Sequence, residues 1–185
     1  MLLYVMANTY FISDTHFGHR NIVKFLREDG SKLRPWDNTD EMDEVIVKNW
    51  NSVVKPHDKV YHVGDVVMNR RCLPIIGRLN GVKTLIKGNH DVFSMAEFAA
   101  YFDDVRGSTT LADMILTHIP IHPGSVGRFG TNVHGHYHDK FIESTKFPGK
   151  PDPLYFSVCV EHINYTPIDI DTLRAAIAER KRLYS

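Results

Sequence analysis

Short apolar runs recur along the chain, and most of them stop at a polar side chain of one narrow kind. TYFISD (9–14) ends at Asp14 and DKVYHVGD (58–65) at Asp65. VKTLIKGNHD (82–91) runs into Asn89 and His90, and DMILTH (113–118) into His118. TNVHGHYH (131–138) and LYFSVCVEHI (154–163) have the same character, and all of these runs read as strands. Between them the spacing predicts helices. One runs from His19 to about Glu28. A second covers 39–53, with Met42, Val45, Ile46, Trp50 and Val53 along one face and Asn38 with Glu41 as a capping-box-like start. Arg71–Leu79 is a third, closed by Asn80-Gly81. Ser94 with Glu97 opens a fourth through Tyr101, and Asp171 to about Arg182 forms the last. The apolar MLLYVMA at the start reads as a lead-in to the first strand, not a signal peptide. Strand–helix alternation early and strand-rich sequence late predict an α/β fold with sheets sandwiched between helices. The 185 residues fit a single domain, 1–185.

The polar terminators are chemically alike. Asp14, His16, Asp65, Asn89, His90, His118, His136 and His138 all fall at or just past strand ends, where α/β architectures bring distant segments together. Carboxylate, amide and imidazole donors without cysteine suit manganese, iron or zinc, with manganese favoured. In HGHYH, His134, His136 and His138 take alternate positions. In an extended chain that puts them on one side, about 6.8 Å apart. Neighbouring imidazoles at that spacing suit the two ions of a metal pair, which lie about 3.5–4 Å apart. Two such ions repel each other, and a shared carboxylate relieves the repulsion; Asp65, after VYHVG, is the best placed. Asp14 and His16 can grip one ion together, and Asn89 offers a neutral carbonyl oxygen. His90 follows a ligand directly and is expected to face substrate.

Charge and cysteine content narrow the field. Lys+Arg and Asp+Glu both total 22, giving zero formal charge, which argues against binding long nucleic acid or anionic membrane by bulk electrostatics. A local site for a small phosphorylated substrate stays compatible with neutrality. Cys72 and Cys159 stand far apart in apolar surroundings and read as reduced core thiols of a cytoplasmic protein. No stretch approaches the ~20 apolar residues of a membrane span.

D14-x-H16, G64-D65, G88-N89-H90-D91, His118 and G135-H136-x-H138, in that order, resemble the signature of the calcineurin-like metallophosphoesterases. SDTHFGHRNI and LTHIPIHP are similar to segments of small, capless bacterial and phage members. The resemblance implies two mixed β-sheets packed face to face with helices outside, and a dinuclear centre at the strand ends. It assigns one ion to Asp14, His16, Asp65 and His138, and the other to Asp65, Asn89, His118 and His136. It also implies attack of a metal-activated hydroxide on phosphorus, with His90 stabilising phosphate oxygens or protonating the leaving alcohol. His134 is left over and reads as structural or as a neighbour of the ligands.

One departure shapes the activity expected. In the phosphoprotein phosphatases, Gly-Asp is followed by an Asp three positions on and then an Arg. Met68 and Asn69 occupy those places here, and Arg70 comes one position late. Asp91 also replaces that branch's Glu, either to orient His90 or to cap the following turn. A protein phosphatase is therefore not expected. The reading is hydrolysis of phosphodiesters, in a nucleotide or similar small organophosphate. A small-molecule phosphomonoesterase, a nuclease and a non-catalytic interaction module of the same fold are the alternatives. His19, Arg20, His122 and Arg128 are candidate phosphate contacts. GRLNGVKT (77–84) only superficially suggests a phosphate loop, because a strand-like run follows where a helix is required.

Overall fold

The computed structural model describes residues 7–184. The lead-in MLLYVMA therefore lies, but for Ala7, outside the described residues. In chain order the strands are β1 (Thr9–Ile12), β2 (Lys59–His62), β3 (Val82–Ile86), β4 (Asp104–Arg106), β5 (Ser108–Leu111), β6 (Met114–Thr117), β7 (Thr131–His134), β8 (Tyr155–Ser157) and β9 (Ile168–Asp169). The α-helices are α1 (Thr39–Val53), α2 (Met95–Ala99), α3 (Pro123–Val126) and α4 (Ile170–Tyr184). One sheet has the order β4-β3-β2-β1-β9 and the other β5-β6-β7-β8. Both are mixed: β9 runs antiparallel to β1, and β5 antiparallel to β6, while the remaining pairs are parallel. The protein is thus an α/β two-sheet sandwich.

Alternation along β1 sorts the layers. Tyr10 and Ile12 face a core shared with Met42, Ile46 and Trp50 of α1, and with Leu73 and Ile76. Phe11 faces the other way, into a core with Leu116, Val133 and Phe156 of the second sheet, Val158 just past β8, and Leu173 and Ile177 of α4. Burial of Met42, Ile46, Val47 and Trp50 follows the helical period. Asn38 caps α1 by accepting Glu41 N at 2.7 Å, and Ser94 with Glu97 forms a complete capping box on α2. The sheets meet at one end, where Ser13 bridges Cys159: Ser13 N donates to Val158 O and Val160 N to Ser13 O. No helix among the described residues is long and apolar enough to cross a membrane.

Several elements differ from the sequence reading. The helix expected from His19 to Glu28 is a single 3-10 turn, Ile22–Lys24. The chain then doubles back, with Arg27 N donating to Ser31 O and Leu33 N to Phe25 O around Gly30. β-branched Ile22 and Val23 and the Asp29-Gly30-Ser31 turn favour this over a helix. Arg71–Leu79 is a 3-10 helix, Arg70–Arg78, with Pro74 inside it, where the ring would clash with the preceding turn of an α-helix. The run 154–163 is strand only over Tyr155–Ser157. HGHYH is not extended either: β7 stops at His134, and His136 and His138 have φ of 73° and 51°.

Candidate metal centre

Five of the seven ligand candidates, all but Asn89 and His118, sit in a left-handed kink past a strand end. Asp14, His16, Asp65, His136 and His138 all have positive φ, which for a residue with a Cβ costs on the order of 1 kcal/mol each. A run of side chains alternating across a strand cannot converge on a point, but a left-handed residue at its end re-aims the next side chain inward. The closeness needs glycine at two places. A Cβ at Gly135 would lie 2.5 Å from Asp14 Oδ2, and one at Gly88 would lie 2.6 Å from Asp65 N.

The result is two groups of donors. Asp14, His16 and His138 have ligand atoms within 4.8 Å of one another, and so do Asp65, His118 and His136. Asp65 reaches both: its Oδ2 is 3.6 Å from His16 Nε2 and 3.3 Å from His118 Nε2. Asn89 Oδ1 joins the second group, 2.9 Å from His118 Nε2 and 3.0 Å from His136 Nδ1. These two Asp/His clusters can hold metal ions.

In the first cluster the surrounding hydrogen bonds leave ligand atoms without a partner, whereas in the second the ligand atoms meet one another. Asp14 Oδ2 accepts from Ser13 Oγ at 2.5 Å, His136 N at 2.9 Å and Cys159 Sγ at 3.2 Å, while buried Oδ1 has no partner. Both ring nitrogens of buried His16 are likewise without a partner. His118 Nδ1 lies 2.8 Å from Val63 O and must donate to it, which turns the Nε2 lone pair toward Asp65 and Asn89. His138 Nδ1 donates to Glu161 Oε1 at 3.1 Å, leaving Nε2 free. Lone pairs aimed at one another and at carboxylate oxygens repel unless a cation stands between them. The donor set therefore fits divalent ions with nitrogen and oxygen preference.

Without an ion, protons take up part of that role. Burial alone would lower the His118 pKa, but its hydrogen bond to Asp65 and the charges of Asp14 and Asp65 raise it to about 9. Burial would raise the Asp14 pKa, yet the surrounding imidazoles hold it far below the carboxylate range. For His16 burial prevails, and its pKa lies below the usual 6.5 despite Asp14.

The other candidates separate clearly. His90 is exposed; its N–H donates to Asp65 Oδ1 at 2.8 Å, and its ring meets His16 edge-on at 5.6 Å. Asp91 does not orient that ring. Its buried carboxylate accepts from Asp65 N and Gly88 N at 2.8 Å and Val66 N at 2.9 Å, so it clamps the two ligand loops together. His19 is edge-on to His16 at 5.7 Å, and its Nδ1 accepts from Asn21 N and Ile22 N, leaving Nε2–H outward. Arg20 is exposed beside it. His122 caps α3 by accepting Gly124 N, and Arg128 lies over Phe129 at 5.4 Å. Among the described residues neither shares a hydrogen bond, ion pair or ring contact with a cluster. His134 is buried against Tyr137 and Tyr155 and donates from Nδ1 to Gly135 O at 2.8 Å. Burial lowers its pKa to about 4, and it supports the turn rather than a cluster.

Two residues behind the first cluster escaped the sequence reading. Arg34 is wholly buried and donates to Asp14 O at 2.5 Å, Thr15 O at 2.8 Å and Glu161 Oε1 at 2.9 Å. Glu161 in turn receives His138 Nδ1. Glu161 carried the same signal as the ligands, an acidic residue just past an apolar run. Arg34, in LRPWDN, carried none.

The fold and the paired clusters define a two-sheet α/β protein with a candidate metal centre at the sheet ends. The chain is 32% identical over 180 residues to the uncharacterized protein MJ1445 of Methanocaldococcus jannaschii, across 95% of this chain and 94% of that one, and it belongs to the same family. It is also similar to the gene 66 protein of Mycobacterium phage L5, 34% identical over 91 residues, 46% of this chain and 41% of that protein. The crystal structure of AQ665 from Aquifex aeolicus, a protein of unknown function, superposes with a TM-score of 0.65 at 25% identity, covering 92% of this chain and all of that one. No protein-family model matches the chain.

Proposed function

We propose that this protein is a dinuclear metal-dependent phosphoesterase of the calcineurin-like kind, acting on phosphodiesters of a nucleotide or similar small organophosphate. The observation that carries the reading is Asp65, whose Oδ2 stands between two clusters that can each hold an ion. Asp14, His16, Asp65 and His138 would hold one ion, and Asp65, Asn89, His118 and His136 the other, with manganese favoured over iron or zinc. When bound, such a pair supplies Lewis acidity toward the phosphoryl oxygens and activation of water.

The chain's own groups do the rest. His90 stands exposed at the rim, anchored through its backbone to Asp65, where its ring can hydrogen-bond a phosphate oxygen or give a proton to the departing alcohol. The outward Nε2–H of His19 offers a second donor to the phosphate. Asp91 and Arg34 keep the loops carrying Asp14 and Asp65 fixed, so the donors need no reorganisation when substrate arrives. The absence of an Asp-Arg pair after Asp65 supports diesters over phosphoprotein monoesters.

The test is turnover of bis(p-nitrophenyl) phosphate and p-nitrophenyl phosphate after chelation and restoration of manganese. Metal-dependent turnover favouring the diester is expected. Preference for the monoester would make it a phosphomonoesterase. No turnover of either, with metal bound, would reject catalysis by this site.

A further inference from the structure

An open groove of about 510 Å³ runs beside the clusters, with His136 and His138 at its inner end and Phe25, Leu26, Leu33 and Tyr137 along it. Phe25, Leu26 and Tyr137 are 47%, 65% and 41% exposed, so three large apolar side chains face water together next to polar ligands. They are not a detached patch. Phe25 meets His19 edge-on at 5.7 Å, and His19 meets His16 in the same way at 5.7 Å. Tyr137 meets His136 edge-on at 5.8 Å. The two aromatic walls thus begin at rings belonging to, or touching, the two clusters, and a group attached to a phosphate held there would enter between them.

The outer rim restricts what that group can be. Of Lys and Arg, only Lys140 is among the groove's lining residues, beside Asp139, and Lys140 Nζ lies 2.9 Å from Glu28 Oε1. With one lysine already facing Glu28 and Asp139 beside it, the groove offers little net positive charge to a second phosphate, which disfavours a polyphosphate tail or the next backbone unit of a polynucleotide. Aromatic walls with a neutralised rim suit a flat, neutral ring. The volume is within the range of about 300–1,000 Å³ typical of small-molecule sites.

We propose that this groove binds the nucleobase of a mononucleotide-type ester whose phosphate occupies the clusters, with Phe25 and Tyr137 as its aromatic contacts. The assignment rests on the phosphoesterase reading above. It is tested by calorimetric titration of the manganese-loaded protein with adenosine 5′-monophosphate and, separately, with methyl phosphate. The nucleotide is expected to bind about 10-fold more tightly, from the strength of base–aromatic stacking. Phe25→Ala or Tyr137→Ala should collapse that ratio toward one; both side chains are exposed, and a thermal melt checks that each variant folds.

Equal binding of the two ligands, binding of neither, or a ratio unmoved by both substitutions overturns the groove assignment. Self-association through the groove, seen by sedimentation and lost in Phe25→Ala, overturns it in favour of an interface between copies. Hydrolysis of bis(p-nitrophenyl) phosphate, measured on the same preparation, keeps the two readings apart. If the diester is hydrolysed while the ligands bind equally, only the groove assignment falls. If neither it nor p-nitrophenyl phosphate is hydrolysed, the phosphoesterase reading falls too.

Discussion

Glu161→Gln removes one charge from the buried group behind the first cluster while keeping the side chain's shape. In the native protein Glu161 is fully buried, and its Oε1 takes both the Arg34 guanidinium and His138 Nδ1. Burial would raise its pKa, but Arg34 and His138 together hold it below 4.5, so it stays charged at neutral pH. Breaking a buried ion pair by removing one partner costs about 3–5 kcal/mol. The amide retains an acceptor oxygen, and Arg34 keeps its bonds to Asp14 O and Thr15 O, so about 2–3 kcal/mol of destabilisation is expected. The metal effect is separate: a carboxylate behind a ligating imidazole fixes its tautomer and raises its basicity, and losing it typically costs about 10–100-fold in affinity. Denaturant unfolding of the metal-free protein reads the first quantity, and competitive manganese titration reads the second. The titration should show one site weakened and the other, built on Asp65, His118 and His136, nearly unchanged. Stability within about 0.5 kcal/mol of wild type and two unaltered sites would refute the claim that Glu161 sustains the first cluster. Equal weakening of both sites would refute its locality.

Other outcomes follow from the same geometry. His90→Ala should bind metal normally and lose most turnover, because His90 touches Asp65 only through its backbone N–H; equal metal loss by elemental analysis would overturn this. Asp65→Asn should lower the occupancy of both ions, and unchanged metal content would rule out a bridging role. Gly135→Ala should cost about 1–3 kcal/mol and reduce metal content, since its Cβ would press on Asp14 Oδ2; an unchanged melting temperature would show that the loop has slack. Burial raises the Asp43 pKa to about 7, aided by Asp40 and Glu44 and opposed by its bond from Gly18 N. Because the folded pKa is the higher one, the stability Asp43 contributes is complete below pH 3.8 and is lost as pH rises to about 7. Asp43→Asn should flatten that slope, worth about 1–2 kcal/mol after allowing for solvent in the adjoining groove; parallel pH–stability curves would contradict it.

The layers and the two clusters of candidate donors were legible because each is written in local pattern. Short apolar runs marked β1 and β2, the i, i+3, i+4 spacing marked α1, and polar residues at strand ends marked the candidate donors. What failed was geometry set by backbone and by distant neighbours. The turn after Ile22 and the 3-10 helix around Pro74 depend on hydrogen bonds that residue spacing does not encode. The short β4, β5 and β9 lack the apolar signature because they are only partly buried edge or near-edge elements. The imidazoles of HGHYH converge through left-handed kinks, not strand alternation, although their two-residue spacing suggested the latter. Arg34 binds two carbonyl oxygens and a carboxylate contributed by remote segments, and no short stretch of sequence announces such a role.

Each cluster draws on both sheets. Asp14 and His16 follow β1, whereas His138 comes from beyond β7; Asp65 follows β2, whereas His118 and His136 follow β6 and β7. With only the first sheet formed, one set of donors lacks His138 and the other lacks both His118 and His136; with only the second sheet formed, the first set is reduced to His138. The full set of donors for either ion is therefore complete only once the sheets have docked, and in a nascent chain only once His138 has been made and placed. For the same reason a chelator acts on the seam between the sheets. Amide exchange in β1 and β7 should accelerate together when metal is withdrawn, while the far edge strands β4 and β5 respond least.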